Sequence, residues 1–588
     1  MLRFLARLKA AVWRIVTHAQ PGNNKNHSVA PRTPGASRKK RPKTSGGTAR
    51  HVSPRMPAAE SNRKMSLLVY AAEILLLFAV IALVVRFIPD FSKKGAGEST
   101  YESSEEQTKE KENPKESSAA QDASKPDEDS GGDAALDGAK IQKAKRPSRP
   151  VTEESEPAEE EKPYVPPTMI VASDLHYQSP KMTDFRESLD TYTEWNDGTV
   201  VPYLDVIADA FLEEVMMKKP SVLILSGDIS QNGEKVNHQE LAKKLKQVQD
   251  AGIPVLVIPG NHDINHPWAA SYFDNKKEEA KGTTPSEFYE IYHEFGYDQA
   301  SSRDEDSLSY LYRLDEHYWI MMLDSCIYEP VHETGGRIKK ETLAWMERQL
   351  EEAKEAGAMV IPVAHHNLLK ESTLYPEECT LENNREVIDL LEEYHLPVYI
   401  SGHLHLQRIK KNVRGPLEEG EYGIYEIVSS SLAIPPCQYG IINWTNDGSF
   451  RYHTKEVDIS GWAERYQEED PNLLNFKEYS SQFLVDIISN QTFKGLESIP
   501  DERKREMAQL YGDLNSAYCS GKPINAARIK SSRTYFYWER YLGTSKWFDR
   551  LSAILKDTKK DHNSLSLKAG KDFPAWLPAE SGLNMNKE

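Results

Sequence analysis

From residue 168 onward, short apolar runs alternate with longer segments whose apolar residues recur at helical spacing. Runs 168–173, 222–226, 254–259, 359–364 and 398–401 are rich in β-branched side chains, and each ends directly in polar residues. Runs of that length and composition predict strands buried on both faces. Between them, 204–218, 235–251, 340–356 and 383–394 carry the 3.6-residue pattern and predict helices. That alternation predicts an α/β fold with a largely parallel core. Residues 423–432 and 440–457 alternate apolar and polar positions around the turn Asn446-Asp447-Gly448, and predict antiparallel strands completing a second sheet. The expected architecture is a two-sheet β-sandwich flanked by helices, spanning 166–460. An aromatic-rich insertion at 265–306 is expected to form a helical cap. Helical periodicity without strand runs predicts a C-terminal helical domain at 470–558, with helices near 479–490, 502–519 and 535–555, and a frayed tail at 559–588.

The pattern is different upstream. Residues 67–85 are apolar but for Glu73, and about 20 such residues cross a bilayer core. They predict a transmembrane helix within 65–89, with the lipid bilayer as its partner. Glu73 lies within two turns of the amino end, where a charge near the headgroups is tolerated. Residues 1–64 hold fifteen Lys and Arg against the single acid Glu60, and predict a basic disordered arm. By the positive-inside rule that arm stays in the cytoplasm and the rest lies beyond the cell membrane, as a single-pass protein. The alternative is secretion after signal cleavage. A basic region of this length disfavours it, as does Arg86-Phe87-Ile88-Pro89 where a small-residue cleavage site would stand. Residues 90–165 are acidic, rich in Ser and Pro and nearly devoid of large apolar side chains, and predict a solvated stalk.

Composition refines this picture in three respects. A chain of 588 residues exceeds a single core, so two or more folded units are expected. A formal net charge of -17 argues against nucleic acid as a partner, because phosphate backbones are bound by Lys and Arg. The four cysteines, Cys326, Cys379, Cys437 and Cys519, form no CxxC pair and suggest neither a zinc ribbon nor a disulfide framework.

The polar residues that end the predicted strands carry the chemistry. In chain order they are Asp174-Leu175-His176, Gly227-Asp228, Gly260-Asn261-His262-Asp263, His365-His366 and Gly402-His403-Leu404-His405. Ligands collect beyond the carboxyl ends of parallel strands, so one sheet edge gathers all five. Carboxylate and imidazole suit Mn, Fe, Zn or Ni, whereas oxygen donors alone would point to Mg or Ca. The motifs hold enough donors for two divalent metal ions, and Asp228 can bridge them. Two metals about 3.5 to 4 Å apart clamp a phosphate, acidify a bound water and stabilise the leaving oxygen.

These motifs resemble the calcineurin-like metallophosphoesterase superfamily, whose pattern D-x-H, G-D, G-N-H-D/E, H, G-H-x-H they follow without a gap across about 168–458. The compact Asp-Leu-His start and Gly-His-Leu-His end are similar to its bacterial cyclic-nucleotide phosphodiesterase-like branch. The resemblance implies one metal held by Asp174, His176, Asp228 and His405, and a second by Asp228, Asn261, His365 and His403. It implies that His262 faces the scissile phosphate and protonates the leaving oxygen, with Asp263 orienting His262. His366 is then a substrate-side donor or a fallback ligand. The implied activity is hydrolysis of a phosphoester substrate, a diester more than a monoester, by attack of a metal-bound hydroxide. The competing reading is a non-catalytic metal-binding receptor or scaffold that keeps the fold, and the complete ligand set argues against it. His266 is a candidate pocket residue and Arg337 a candidate phosphate clamp. His238, His293, His317, His332, His395 and His453 are expected on the surface or in the core.

Overall fold

A computed structural model describes residues 164–184, 197–375, 379–412 and 423–574. The basic arm, the apolar segment 67–85 and the stalk up to 163 lie outside the described residues. Among the described residues no helix is long and apolar enough to cross a membrane.

The first three apolar runs form β1 (Thr168–Ala172), β2 (Val222–Ser226) and β3 (Val255–Ile258), which pair in parallel. A hairpin, β4 (Ala270–Phe273) and β5 (Lys276–Glu279), stands apart. Next come β6 (Ser302–Arg303), β7 (Tyr310–Arg313), β8 (Tyr318–Leu323), β9 (Met359–Ala364) and β10 (Val398–Ser401). The remainder are β11 (Arg408–Lys411), β12 (Tyr425–Val428), β13 (Gln438–Trp444), β14 (Phe450–Glu456) and β15 (Ser564–Leu567). One sheet has the order β15-β14-β13-β1-β2-β3 and the other β11-β12-β10-β9-β8-β7-β6.

The two sheets share a core, and strand β8 demonstrates how. Its Ile320 and Met322 join Ile170, Ile224 and Leu256 between the sheets, while Trp319, Met321 and Leu323 pack with Trp345, Met346, Val387 and Leu391 of the outer helices. Successive side chains point to opposite faces, so an unbroken apolar run covers both. The expected sandwich flanked by helices is therefore present. Helices Leu204–Lys218, Lys235–Asp250, Lys340–Ala356 and Asn384–Glu393 stand where periodicity predicts them.

Four expectations are corrected. The strands after 423 do not build one second sheet: β12 lies parallel to β10, whereas β13 and β14 extend the sheet of β1. The insertion 265–306 is not a helical cap. Its helix Pro285–Tyr292 buries Phe288 and Tyr292 in the main core, and the Tyr292 ring packs against His238. The segment 535–555 is two helices, Arg533–Leu542 and Lys546–Asp557, the second started by the Ser545 hydroxyl accepting from Phe548 N. The predicted frayed tail includes β15, which pairs with β14 through Phe450 and Leu567.

The C-terminal helices have their own core of Leu484, Met507, Tyr511, Leu514, Trp538 and Leu551. None of the four cysteines forms a disulfide, and Cys326, Cys437 and Cys519 are buried.

Candidate metal centre

Parallel β1 and β2 in one sheet, and parallel β9 and β10 in the other, end at the same edge, each one to three residues before a motif. The backbone turns sharply there. Asp174, His176, Asp228, His403 and His405 all have positive φ, between 43° and 69°. Non-glycine residues adopt that region at a cost, and such strain concentrates where side chains must be aimed at a site. The glycines allow the loops to close on one another. A Cβ on Gly260 would lie 2.2 Å from the Asp228 backbone nitrogen, and one on Gly402 would lie 2.5 Å from Asp174 Oδ2.

Two groups of donors converge. In the first, His405 Nε2 lies 3.3 Å from Asp174 Oδ1 and 2.9 Å from His176 Nε2. In the second, His365 Nε2 lies 3.1 Å from Asn261 Oδ1, 3.2 Å from Asp228 Oδ2 and 3.2 Å from His403 Nδ1. Asp228 belongs to both, because its Oδ2 is also 3.9 Å from His176 Nε2. Its other oxygen accepts from the His262 backbone N–H at 2.7 Å, which fixes the carboxylate plane.

The donor chemistry fits cations. His365 donates Nδ1–H to Ser226 O at 3.0 Å, so its Nε2 carries a lone pair toward an amide oxygen and a carboxylate oxygen. His405 donates Nδ1–H to Asp197 Oδ2 at 2.5 Å, so its Nε2 lone pair likewise faces Asp174. Acceptors thus face acceptors across both groups. Electrostatics states the same need for positive charge. Burial favours a neutral Asp228, yet the His365 and His262 imidazoles hold it well below the usual carboxylate range. Burial opposes a charge on His365 too, but Asp228 and Asp174 push it up to about 9, so that a proton takes the Nε2 lone pair where no cation does. Within 4.8 Å of one another, Asp174, His176, Asp228 and His405 could hold one ion, and Asp228, His365 and His403 another. Asn261 Oδ1 adds a donor to the second. All seven expected metal ligands are therefore brought together.

His262 and Asp263 divide differently from expectation. The His262 ring meets the His176 ring edge-on at 4.9 Å, beside the first group. Its Nδ1–H is directed at Gln231 O, 3.0 Å, and Asn232 Oδ1, 3.2 Å, so Gln231 and Asn232 orient it. The expected role of Asp263 is corrected. Buried Asp263 accepts from the backbone N–H of Ile229, Ser230 and Gly260, and from the Ser230 hydroxyl. It ties the GNHD loop to the Gly227-Asp228 loop and acts on His262 only through that backbone.

His366 is not placed as a ligand, because Ser325 Oγ and Thr334 O occupy its two nitrogens at 2.8 and 3.0 Å. Arg337 is exposed and paired with Glu382. His266 does reach the site and stacks on His262, with centroids 4.6 Å apart and planes at 19°. Two participants had no signal in the sequence. Asp197 lies in a turn far from every motif, and His332 donates Nε2–H to Asn261 O at 2.6 Å while packing edge-on against His266. Among the other histidines given a surface or core reading, His238 is buried in the core.

Two regions of this chain are similar to known proteins. Residues 167–407 match the family described as calcineurin-like phosphoesterase, and 458–561 match the C-terminal domain of cyclic nucleotide phosphodiesterase. A protein of Xenorhabdus bovienii named "Probable cyclic nucleotide phosphodiesterase" is 22% identical over 188 residues, 32% of this chain and 62% of that protein. One of the same name from Vesicomyosocius okutanii is 21% identical over 185 residues, 31% and 62% of the two lengths. The chain thus spans less than two thirds of these relatives. A dimetal phosphatase from Danio rerio is similar with 14% identity and a TM-score of 0.35, over 50% of this chain and 96% of that one. With its five motifs assembled at one sandwich edge, this chain contains, over residues 167–407, a match to the calcineurin-like phosphoesterase domain.

Proposed function

We propose that this chain is a dinuclear-metal phosphodiesterase, anchored through 67–85 with its catalytic domain beyond the cytoplasmic face. The observation that carries the chemistry is Asp228 Oδ2, one buried oxygen shared by two groups of donors, with His262 at their side. Two divalent ions bound there supply Lewis acidity toward phosphoryl oxygens and acidify water. The protein's own part is orientation. Asp174 and Asp228 provide buried negative charge, and the Nδ1–H bonds of His365 and His405 aim their Nε2 lone pairs inward. With Nδ1 held by Gln231 and Asn232, His262 presents Nε2, from which an imidazolium gives its proton to the leaving oxygen.

A diester is favoured over a monoester for two reasons. The side of the site next to His262 is built of imidazoles, His266 and His332, while Arg337 is engaged with Glu382. A guanidinium, which pairs bidentately with phosphate, would favour the doubly charged monoester. The names of the relatives point the same way. A substrate panel with Mn, comparing cyclic nucleotides, lipid phosphodiesters and phosphomonoesters on the full chain, tests the reading. Turnover of diesters supports it, and turnover of monoesters alone overturns it. Membrane placement is tested by cysteine labelling of intact cells: a residue introduced after 95 should react with an impermeant reagent, and one before 60 should not.

A further inference from the structure

The loop that carries two of the proposed ligands alternates between two environments. His403 and His405 face the metal centre, whereas Leu404 and Leu406 are buried in the core of the C-terminal helical domain, with Leu484, Met507 and Trp538. We infer that this domain positions His403 and His405, with Leu404, Leu406, Gln407 and Arg408 as its points of attachment. The inference rests on the proposed metal centre and assigns the helical domain a role in building it.

The amino side of the loop is tied to the sandwich. Gly402 N donates to His365 O at 3.0 Å, and His403 N donates to the Asp174 carboxylate at 3.0 Å. The carboxyl side runs into β11, which pairs with β12, and is tied to the C-terminal region as well. Gln407 N donates at 3.0 Å to the carbonyl oxygen of Cys519, the last residue of helix Asp501–Cys519, and Gln407 Nε2 donates to His562 O at 3.1 Å. Gly521 has a φ of +66°, and a Cβ there would sit 2.8 Å from Gln407 O, so the close approach depends on glycine.

Arg408 completes the clasp. It is buried, and its Nη1 donates to Asp557 O at 2.7 Å and to His562 Nε2 at 3.0 Å, while Nη2 donates to Glu371 O at 3.3 Å. A guanidinium can only donate, so His562 Nε2 accepts from it, while His562 Nδ1 meets the Ile409 backbone, 3.0 Å from its N and 3.1 Å from its O. His403 and His405 hold φ values of 69° and 56°, which surroundings on both sides must enforce. Ligand geometry has to be kept within about 0.5 Å for a working centre. The helical domain adds to that restraint on the carboxyl side, beside the pairing of β11 with β12.

Calorimetric titration of the full chain with Mn and with Zn, beside thermal unfolding of each variant, tests this. Leu406→Ala and Gln407→Ala are expected to weaken metal binding roughly tenfold or more, as loss of an outer support typically does, and Leu406→Met to restore it. Leu551→Ala, in the same helical core, is expected to lower Tm without that loss of affinity. If Leu406→Ala does not fold, Gln407→Ala decides. Folded variants that bind metal as tightly as the wild type overturn the inference, and so does a Leu551→Ala chain whose affinity falls as far. A wild-type chain that binds no cation overturns the proposed function and this inference with it; a wild type that binds two, with variants unchanged, overturns this inference alone.

Discussion

Replacing Asp228 with Asn changes one atom of the centre and tests whether one oxygen serves both groups. Asn keeps the oxygen that accepts from the His262 N–H at 2.7 Å, so the loop has no reason to move. It replaces Oδ2, 3.2 Å from His365 Nε2 and 3.9 Å from His176 Nε2, with an NH2 that points two hydrogens into the cation sites. Unit charges 4 Å apart interact by about 4 kcal/mol at an effective dielectric constant near 20. Each ion carries two charges, so removing the shared carboxylate is worth at least about a thousandfold in affinity for each. His403→Ala, which touches only the second group, should release one ion and leave the other. The assay is metal content by mass spectrometry after dialysis, with titration calorimetry and circular dichroism on the same samples. Asp228→Asn retaining two ions at wild-type affinity, or losing one alone, would refute the shared oxygen.

Further outcomes follow from the surroundings of the centre. Asp197→Asn removes the carboxylate that accepts the His405 Nδ1 proton, and metal affinity should drop roughly 10- to 100-fold; calorimetry that finds no change would remove Asp197 from the site. Chelation should destabilise the chain, since ions at a hundred times their dissociation constant stabilise the folded state by about 2.7 kcal/mol. A Tm indifferent to EDTA would contradict any tightly held cation. Stability should also depend on pH through Glu371 and Glu426. Burial pushes Glu426 from 4.5 up to about 7, and burial beside Glu426 raises Glu371 well above the usual range. A carboxyl raised in the folded state stabilises fully below its unfolded pKa and loses that contribution as pH rises through the folded value. Tm should therefore fall as pH rises from about 4.5 through about 7, and Glu371→Gln, which cannot ionise, should flatten the part above that; identical profiles would contradict this.

Legibility in the sequence followed the range of the interactions. Strands β2, β9 and β10 coincide with the apolar runs, because burial on both faces leaves no polar residue inside them. The seven ligands were legible because each follows a strand end, and parallel strands deliver their ends to one place. Asp263 was misread because adjacency to His262 is not contact: a sharp turn aims its carboxylate back at Gly260 and Ser230. Asp197, Gln231, Asn232 and His332 meet the site through loops with no periodicity to betray them. The sorting of β12 from β13 and β14 was equally hidden, since alternation marks a strand's faces and not its partner. Leu404 stands between two histidines and Leu406 follows them, and only the fold reveals the helical core that receives both.

The most direct test of two cations working beside His262 is made on wild type and His262→Ala in parallel, as metal bound per full-length chain and as hydrolysis of bis-p-nitrophenyl phosphate. Two ions in both chains are expected, with turnover in the variant reduced roughly a hundredfold or more, as loss of a general acid implies. Two bound ions without diester turnover in the wild type, or undiminished turnover in His262→Ala, would contradict it.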